Sequence, residues 1–188
     1  MEKNYSDFFN NAIELLRKEN RYRNFVNISR LNGHFPYAIN NQNGKKIILW
    51  CSNDYLAMSQ NKQTINAAID ALNHYGIGSG GTRNISGNSK IIVELENSIA
   101  NLHSKEAALC FVSGYVANDS AIQTLAKIIP NLIIFSDQKN HASIIAGIRN
   151  SKLEKHVFKH NDVEDLEEKL KKYSKNQPKI IIFESVYS

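Results

Sequence analysis

Three stretches of this chain carry residue types whose spacing could do chemistry. The first is Gly76-Ile77-Gly78-Ser79-Gly80-Gly81, which has the G-x-G-x-x-G spacing of a dinucleotide site. That chemistry needs a strand directly before the glycines and a helix directly after them. Here the preceding pattern is helical, and TRNISGNS intervenes before the next helix, so the match is a decoy for a dinucleotide fold. The glycines still set bare backbone beside Thr82, Arg83, Asn84 and Ser86, as a ligand-facing surface or as an ordinary flexible loop. The second stretch is Ser113-Gly114-Tyr115, where an apolar run hands over to a helical pattern. Free N–H groups at a helix N-terminus, with a glycine allowing close approach, suit a phosphate, although a plain strand-to-helix turn reads the same way. The third is Asn140-His141-Ala142-Ser143, just after the run LIIFSD. A histidine there reaches the carboxyl edge of a sheet, where it either stacks on a ring and moves protons or serves as a helix cap. His156 and His160 lie on a strand-like stretch with no third ligand, which argues against a metal site.

Regular elements must position these groups. Phe9, Ile13 and Leu16 recur at helical spacing behind Ser6, which is placed to cap that helix. Residues 37–52 read as a β-hairpin turning at Asn43-Gly44, and 63–75 as a helix. Ile92, Leu95, Ile99 and Leu102 mark another helix. Beyond it the pattern alternates. The strands are AALCFVS, LIIFSD, HVFKH and KIIIFES, and the helices lie at 118–128, around 143–148 and at 163–172. Near-continuous apolar strands alternating with helices predict an α/β fold, a mostly parallel sheet with helices on both faces. Residues 1–50 are expected to form an N-terminal helix and hairpin segment, and 51–188 the beginning of a larger, incomplete domain. The chain stops where a loop beyond a strand would carry ligand groups, so it reads as a piece of a longer protein.

Composition narrows the classes. Of 188 residues, 42% are hydrophobic and 22% charged, which fits a globular protein with a core rather than a disordered or collagen-like chain. No apolar run approaches the ~18–20 residues of a membrane helix. Cys51 and Cys110 sit in apolar stretches and read as buried free thiols. The N-terminus has Glu2 and Asp7 and no apolar or arginine-rich stripe, so it resembles no export or organelle signal, and a reducing cytoplasm is expected. The formal charge of +5 raises the possibility of nucleic acid, but the basic residues are dispersed, which argues for no such partner.

Taken together, GSGGTRNISG, LHSKEAALCFVSGYVAND, SDQKNHASIIAGIR, HNDVEDLEEKL and FESVYS resemble the α-oxoamine synthases in order and spacing, from about Arg21 to Ser188. These are fold-type I pyridoxal 5'-phosphate enzymes that condense an amino acid with an acyl-CoA and release carbon dioxide. The resemblance implies that Gly114 and Tyr115 hold the cofactor phosphate, His141 stacks on its ring as the catalytic histidine, and Ser188 lies near the ring oxygen. It implies that Arg21, Ser136 and Lys155 contact the acyl-CoA, and that Thr82 and Asn84 line the acyl and amino-acid pocket. Asn53 and Tyr55 would come close to substrate and cofactor. GGTRNISG and Arg21 favour the branch that joins glycine to succinyl-CoA. The resemblance also implies a homodimer in the full-length protein. The family's Schiff-base lysine, ring-nitrogen aspartate and carboxylate-binding arginine belong to its later half, so these residues alone are expected to be inactive. A sister enzyme with another acyl-CoA, a non-catalytic subunit of the same fold and a nucleic-acid-binding module are the competing readings.

Overall fold

The computed structural model describes residues 5–187. Contacts divide the chain into two units, Met1–Gly78 and Ser79–Ser188. Helix α1 (Tyr5–Lys18) opens the first, with Asp7 in its first turn and Arg17 and Lys18 in its last, matching the helix dipole. It is already running at Tyr5, so Ser6 lies within the helix rather than capping it. A three-stranded antiparallel meander follows: β1 (Ile28–Arg30), β2 (Tyr37–Asn40) and β3 (Lys45–Ile48). The expected hairpin is β2–β3, registered Tyr37↔Ile48 to Asn40↔Lys45, and it turns through Gly44 at φ 71°, a region open to glycine. Its second strand ends at Ile48 rather than Cys51, because Tyr37 is the last residue of β2 to pair. Strand β1 is too short to show a period in the sequence. Helix α2 (Lys62–Tyr75) is capped by Asn61, whose side-chain oxygen accepts from the N–H of Gln63 and Thr64.

The second unit contains α3 (Lys90–Leu102), α4 (Gly114–Ile128), β4 (Ile133–Asp137), α5 (Ala142–Ser151), β5 (Lys155–Phe158), α6 (Val163–Leu170) and β6 (Lys179–Ile182). The strands form a parallel sheet in the order β5-β4-β6, with β4 buried along its whole length. Side chains alternate across β4. Ile134 packs with Ile122, Ile144 and Ile148 of α4 and α5, whereas Ile133 and Phe135 pack with Phe158 and the α6-side residues Leu166, Leu170 and Tyr173. The sheet therefore carries helices on both faces, as its apolar strands imply. Helices α4 and α5 approach closely at Gly147, where a Cβ would meet Asp119 Cα at 3.1 Å.

Two expectations fail locally. AALCFVS forms no strand, since no strand of the described chain pairs with it. Instead, the Cys110 N–H is taken by a side chain, donating to Glu96 Oε1 at 2.6 Å. Neither cysteine is fully buried: Cys51 is exposed in the coil beyond β3, and Cys110 is half-buried.

Candidate functional site

In the second unit the carboxyl ends of the parallel strands and the start of α4 gather polar groups. Ser113 caps α4 by accepting the Val116 N–H at 3.2 Å, and the first intrahelical backbone bond runs from the Ala117 N–H to Ser113 at 3.0 Å. The N–H groups of Gly114 and Tyr115 precede that bond and stay outside the helical ladder. Nothing lies within 4 Å of where a Gly114 Cβ would sit, so the turn presents bare backbone to open space.

His141 is the N-cap of α5. Its Nδ1 accepts the Ser143 N–H at 3.2 Å and lies 2.7 Å from Ser143 Oγ. Ser143 Oγ in turn accepts from Asn118 Nδ2 of α4 at 3.0 Å, so its own proton points to His141. The neutral imidazole then carries its proton on Nε2, and the ring has a fixed orientation. The His141 and Tyr115 rings stand 6.3 Å apart, edge to face at 75°. The structure thus brings Tyr115, next to Gly114, and His141 together and bears out the helix-cap reading of His141: Nδ1 caps α5, and the residue is exposed.

Glu184 and Asp137, behind this turn, were not singled out from the sequence. The His141 backbone N–H donates to the Glu184 carboxylate, which follows β6. Asn140, 4% exposed, spends both amide hydrogens on crosslinks, to Ser136 Oγ at 2.9 Å and the Ile182 carbonyl at 2.8 Å. Its Oδ1 is buried without a partner. Asp137 is 2% exposed and accepts the Lys139 N–H (2.8 Å), the Asn161 N–H (3.1 Å) and His160 Nδ1 (3.0 Å). Burial pushes its carboxyl upward, but these donors together hold it below the usual aspartate value. His160 also meets the Tyr187 ring edge-on at 4.5 Å. The signal for this cluster is a Ser-Asp at the end of one strand run and a His-Asn-Asp at the end of the next. Beside Asp137, an apolar cavity of about 330 Å³ is lined by Phe158, Val163, Leu166 and Phe183 among others.

Ser136 and Lys155 line one small cavity of about 160 Å³ together with Arg149, a cation that sequence reasoning passed over. The Ser136 hydroxyl is itself 4% exposed and engaged with Asn140. Thr82 and Asn84 are exposed on either side of the half-buried Arg83. Arg21, Asn53 and Tyr55 belong to the first unit, all exposed. There Arg21 pairs with Glu19 at 2.7 Å and lines a cavity with Leu16, Asn20, Tyr22 and Arg23. Ser188 lies outside the described residues. Among the described residues no cluster of His, Cys, Asp or Glu is arranged to hold a metal ion, and no helix is long and apolar enough to cross a membrane.

Known proteins match along almost the whole chain. It is 53% identical over 184 residues to the 5-aminolevulinate synthase of Rickettsia bellii, covering 98% of this chain and 44% of that protein. The 5-aminolevulinate synthase of Bradyrhizobium diazoefficiens is 50% identical over 186 residues, with 98% and 46% covered. Among solved structures, serine palmitoyltransferase from S. paucimobilis, bound to PLP and myriocin, superposes with a TM-score of 0.78 at 29% identity, over 97% of this chain and 45% of that one. The chain spans rather less than half the length of these relatives, and its fold is that of the fold-type I enzymes among them. The family model described as aminotransferase class I and II matches residues 45–188, most of the chain and every element from β3 onward, and the chain therefore belongs to that family.

Proposed function

We propose that this chain is the N-terminal part of a 5-aminolevulinate synthase, which condenses glycine with succinyl-CoA and releases CoA and carbon dioxide, the entry step of haem synthesis. The observation that carries this reading is the meeting of Tyr115 and His141 beside the open start of α4, in a chain about half identical to relatives of that name. The residues present fit a phosphorylated aromatic cofactor. The Gly114 turn offers unladdered N–H groups to a phosphate, and the exposed His141 and Tyr115 rings stand 6.3 Å apart beside it. Pyridoxal 5'-phosphate, when bound, supplies an electron sink for negative charge at the amino acid's α-carbon.

The work proposed for this chain's own residues is what the resemblance implies for them. Gly114 and Tyr115 donate backbone N–H groups to the phosphate. The His141 ring, oriented through Nδ1 by Ser143, would stack on the cofactor ring, and in the whole protein Ser188 and Tyr55 would each be a further cofactor contact. Arg21 pairs with the succinyl carboxylate; its bond to Glu19 joins two exposed groups and exchanges at little cost. Thr82 and Asn84 would line the acyl and amino-acid pocket, Asn53 would contact substrate in the whole protein, and Lys155 with Ser136 would meet the CoA portion. Exposed apolar residues such as Phe25 and Val112 support a homodimeric whole protein in which they are covered. A cytoplasmic location agrees with the two unpaired thiols.

The test uses the full-length gene product. A visible cofactor band together with aminolevulinate formation from glycine and succinyl-CoA is the expected result. A band without turnover on that pair transfers the reading to a sister synthase with another acyl-CoA. Absence of any band leaves a non-catalytic subunit of this fold.

A further inference from the structure

The loop at 81–87 looks flexible by composition, yet it is closed on itself. The N–H groups of Ile85, Ser86 and Gly87 all converge on the Thr82 carbonyl, at 3.1, 3.1 and 2.8 Å. A Cβ on the buried Gly87 would lie 1.9 Å from the Gly81 carbonyl oxygen, so the two ends of the loop touch backbone to backbone. Arg83 sits between the exposed Thr82 and Asn84. An arginine in such a loop invites the role of substrate-anion anchor, but its donors are already engaged. Nη1 and Nη2 donate to the two oxygens of Glu96 at 2.5 and 2.8 Å, and Nη2 and Nε donate to Asn88 Oδ1 at 2.8 and 3.2 Å. This is a bidentate, charge-assisted fork of the kind that fixes geometry as well as adding energy.

Glu96 does more than answer Arg83. It projects from the middle of α3 with its side chain 12% exposed, and its Oε1 also accepts the Cys110 N–H at 2.6 Å. Cys110 lies four residues before Gly114, in the run that has no strand partner. One carboxylate therefore ties two segments: the loop with Thr82 and Asn84, and the run leading to the Gly114-Tyr115 turn.

We infer that Arg83 and Glu96 are positioning residues, with Arg83 setting the Thr82–Asn84 turn and Glu96 holding that turn and the approach to Gly114 on a single anchor. This rests on the function proposed above, because it names which pocket each segment serves. The two residues are then not equivalent. Loss of Arg83 frees the acyl pocket alone; loss of the Glu96 carboxylate oxygens loosens the acyl pocket and the cofactor phosphate turn together.

The full-length holoenzyme tests this through KM for succinyl-CoA, selectivity against an uncharged acyl-CoA such as butyryl-CoA, and cofactor retention read by absorbance. Arg83→Gln should raise KM for succinyl-CoA about tenfold, with kcat and cofactor affinity nearly unchanged, since one charge-assisted fork is lost. Glu96→Ala, which removes the oxygen that accepts the Cys110 N–H as well as the partner of Arg83, should raise KM and also weaken cofactor retention. In the exchange R83E/E96R the ion pair is restored, but the side chain at 96 can no longer accept the Cys110 N–H. Acyl selectivity should therefore recover while cofactor retention stays low. If Arg83→Gln does not fold, Arg83→Lys, which keeps the charge and loses the fork, should give the same KM increase in weaker form.

Amide hydrogen exchange at 82–87 provides a readout independent of activity: exchange there should quicken in both single variants and slow again in the exchange variant. Equal losses of kcat, KM, cofactor and melting temperature in all variants would mean a merely structural pair and would overturn the inference. So would unchanged KM and unchanged loop exchange in Arg83→Gln. A wild-type enzyme inactive on glycine and succinyl-CoA defeats the proposed function instead, and the exchange and cofactor readouts still decide the anchor.

Discussion

LIIFSD and AALCFVS are both short apolar runs that hand over to a helix, yet they meet opposite fates in this chain. The first becomes β4, hydrogen-bonded on both sides by β5 and β6 and buried at every position. The second pairs with no strand among the described residues and leaves Leu109 64% and Val112 93% exposed. Apolar character makes a segment suitable for a sheet, but a strand exists only where another strand supplies the ladder. The two runs also solve the same task by different means. Strand pairing and the hydrogen bonds of Asp137 and Asn140 hold the turn after β4, while the AALCFVS run is tied at Cys110 to the Glu96 carboxylate of α3.

The largest expected effect falls at the centre of the packed region. Phe135 is 0% exposed, stacked on His156 at 5.4 Å and edge-on to Tyr173 at 5.9 Å. Phe135→Ala should cost about 3–5 kcal/mol in urea unfolding, from lost burial and the cavity left behind. A cost below about 1 kcal/mol would mean that β4 is not the core it looks like.

Next in size is Asp137→Asn. The substitution removes the charge that three donors share: with the amide oxygen at the Oδ1 place, Lys139 and His160 keep their acceptor and the Asn161 N–H faces an NH2 group instead. The expected cost is about 2 kcal/mol near neutral pH. The pH dependence has a definite sign. The folded carboxyl sits below its ordinary value, so its stabilisation is present above the unfolded value and fades as pH falls through the folded one. The difference between wild type and variant should therefore shrink on acidification below the usual aspartate range. A gap that stays constant with pH would show that the charge is not what the donors read.

Gly147→Ala is smaller. The added methyl would stand 3.1 Å from Asp119 Cα and from Ile122 side-chain carbons, so α4 and α5 must part by a few tenths of an ångström. About 1 kcal/mol is expected by thermal unfolding. No loss would mean that the two helices are free to slide and that the Asn118–Ser143–His141 relay between them is less rigid than it looks.

These sites also show what the sequence could and could not disclose. The alternation of strands and helices from 132 onward was readable because β4, α5, β5, α6 and β6 each carry a local period or an apolar run. The glycine turn at Gly114 and the His141 turn were readable because a short string of residue types marks a helix start. The polar anchors were not readable. Glu96 and Arg83 are thirteen residues apart, and Asn140 and Ile182 are forty-two apart, so no window along the chain pairs them. The strand expectation for AALCFVS failed for the same reason, since pairing is a property of two segments.

Val112→Ala sets the comparison most sharply because its expected effect is the smallest. At 93% exposure the side chain has almost no contacts to lose, and truncation should change stability by less than about 0.5 kcal/mol in the 188-residue chain. The same substitution in the full-length gene product is the informative half of the pair. There, a cost of about 1 kcal/mol or more, the difference of burying rather than exposing two methyl groups, would mean that AALCFVS gains a covering partner the described residues do not supply. If the cost stays near zero in both, the run is a free-standing connector. The Glu96–Cys110 bond would then be its main restraint, and the loss of cofactor in Glu96→Ala should be at its greatest.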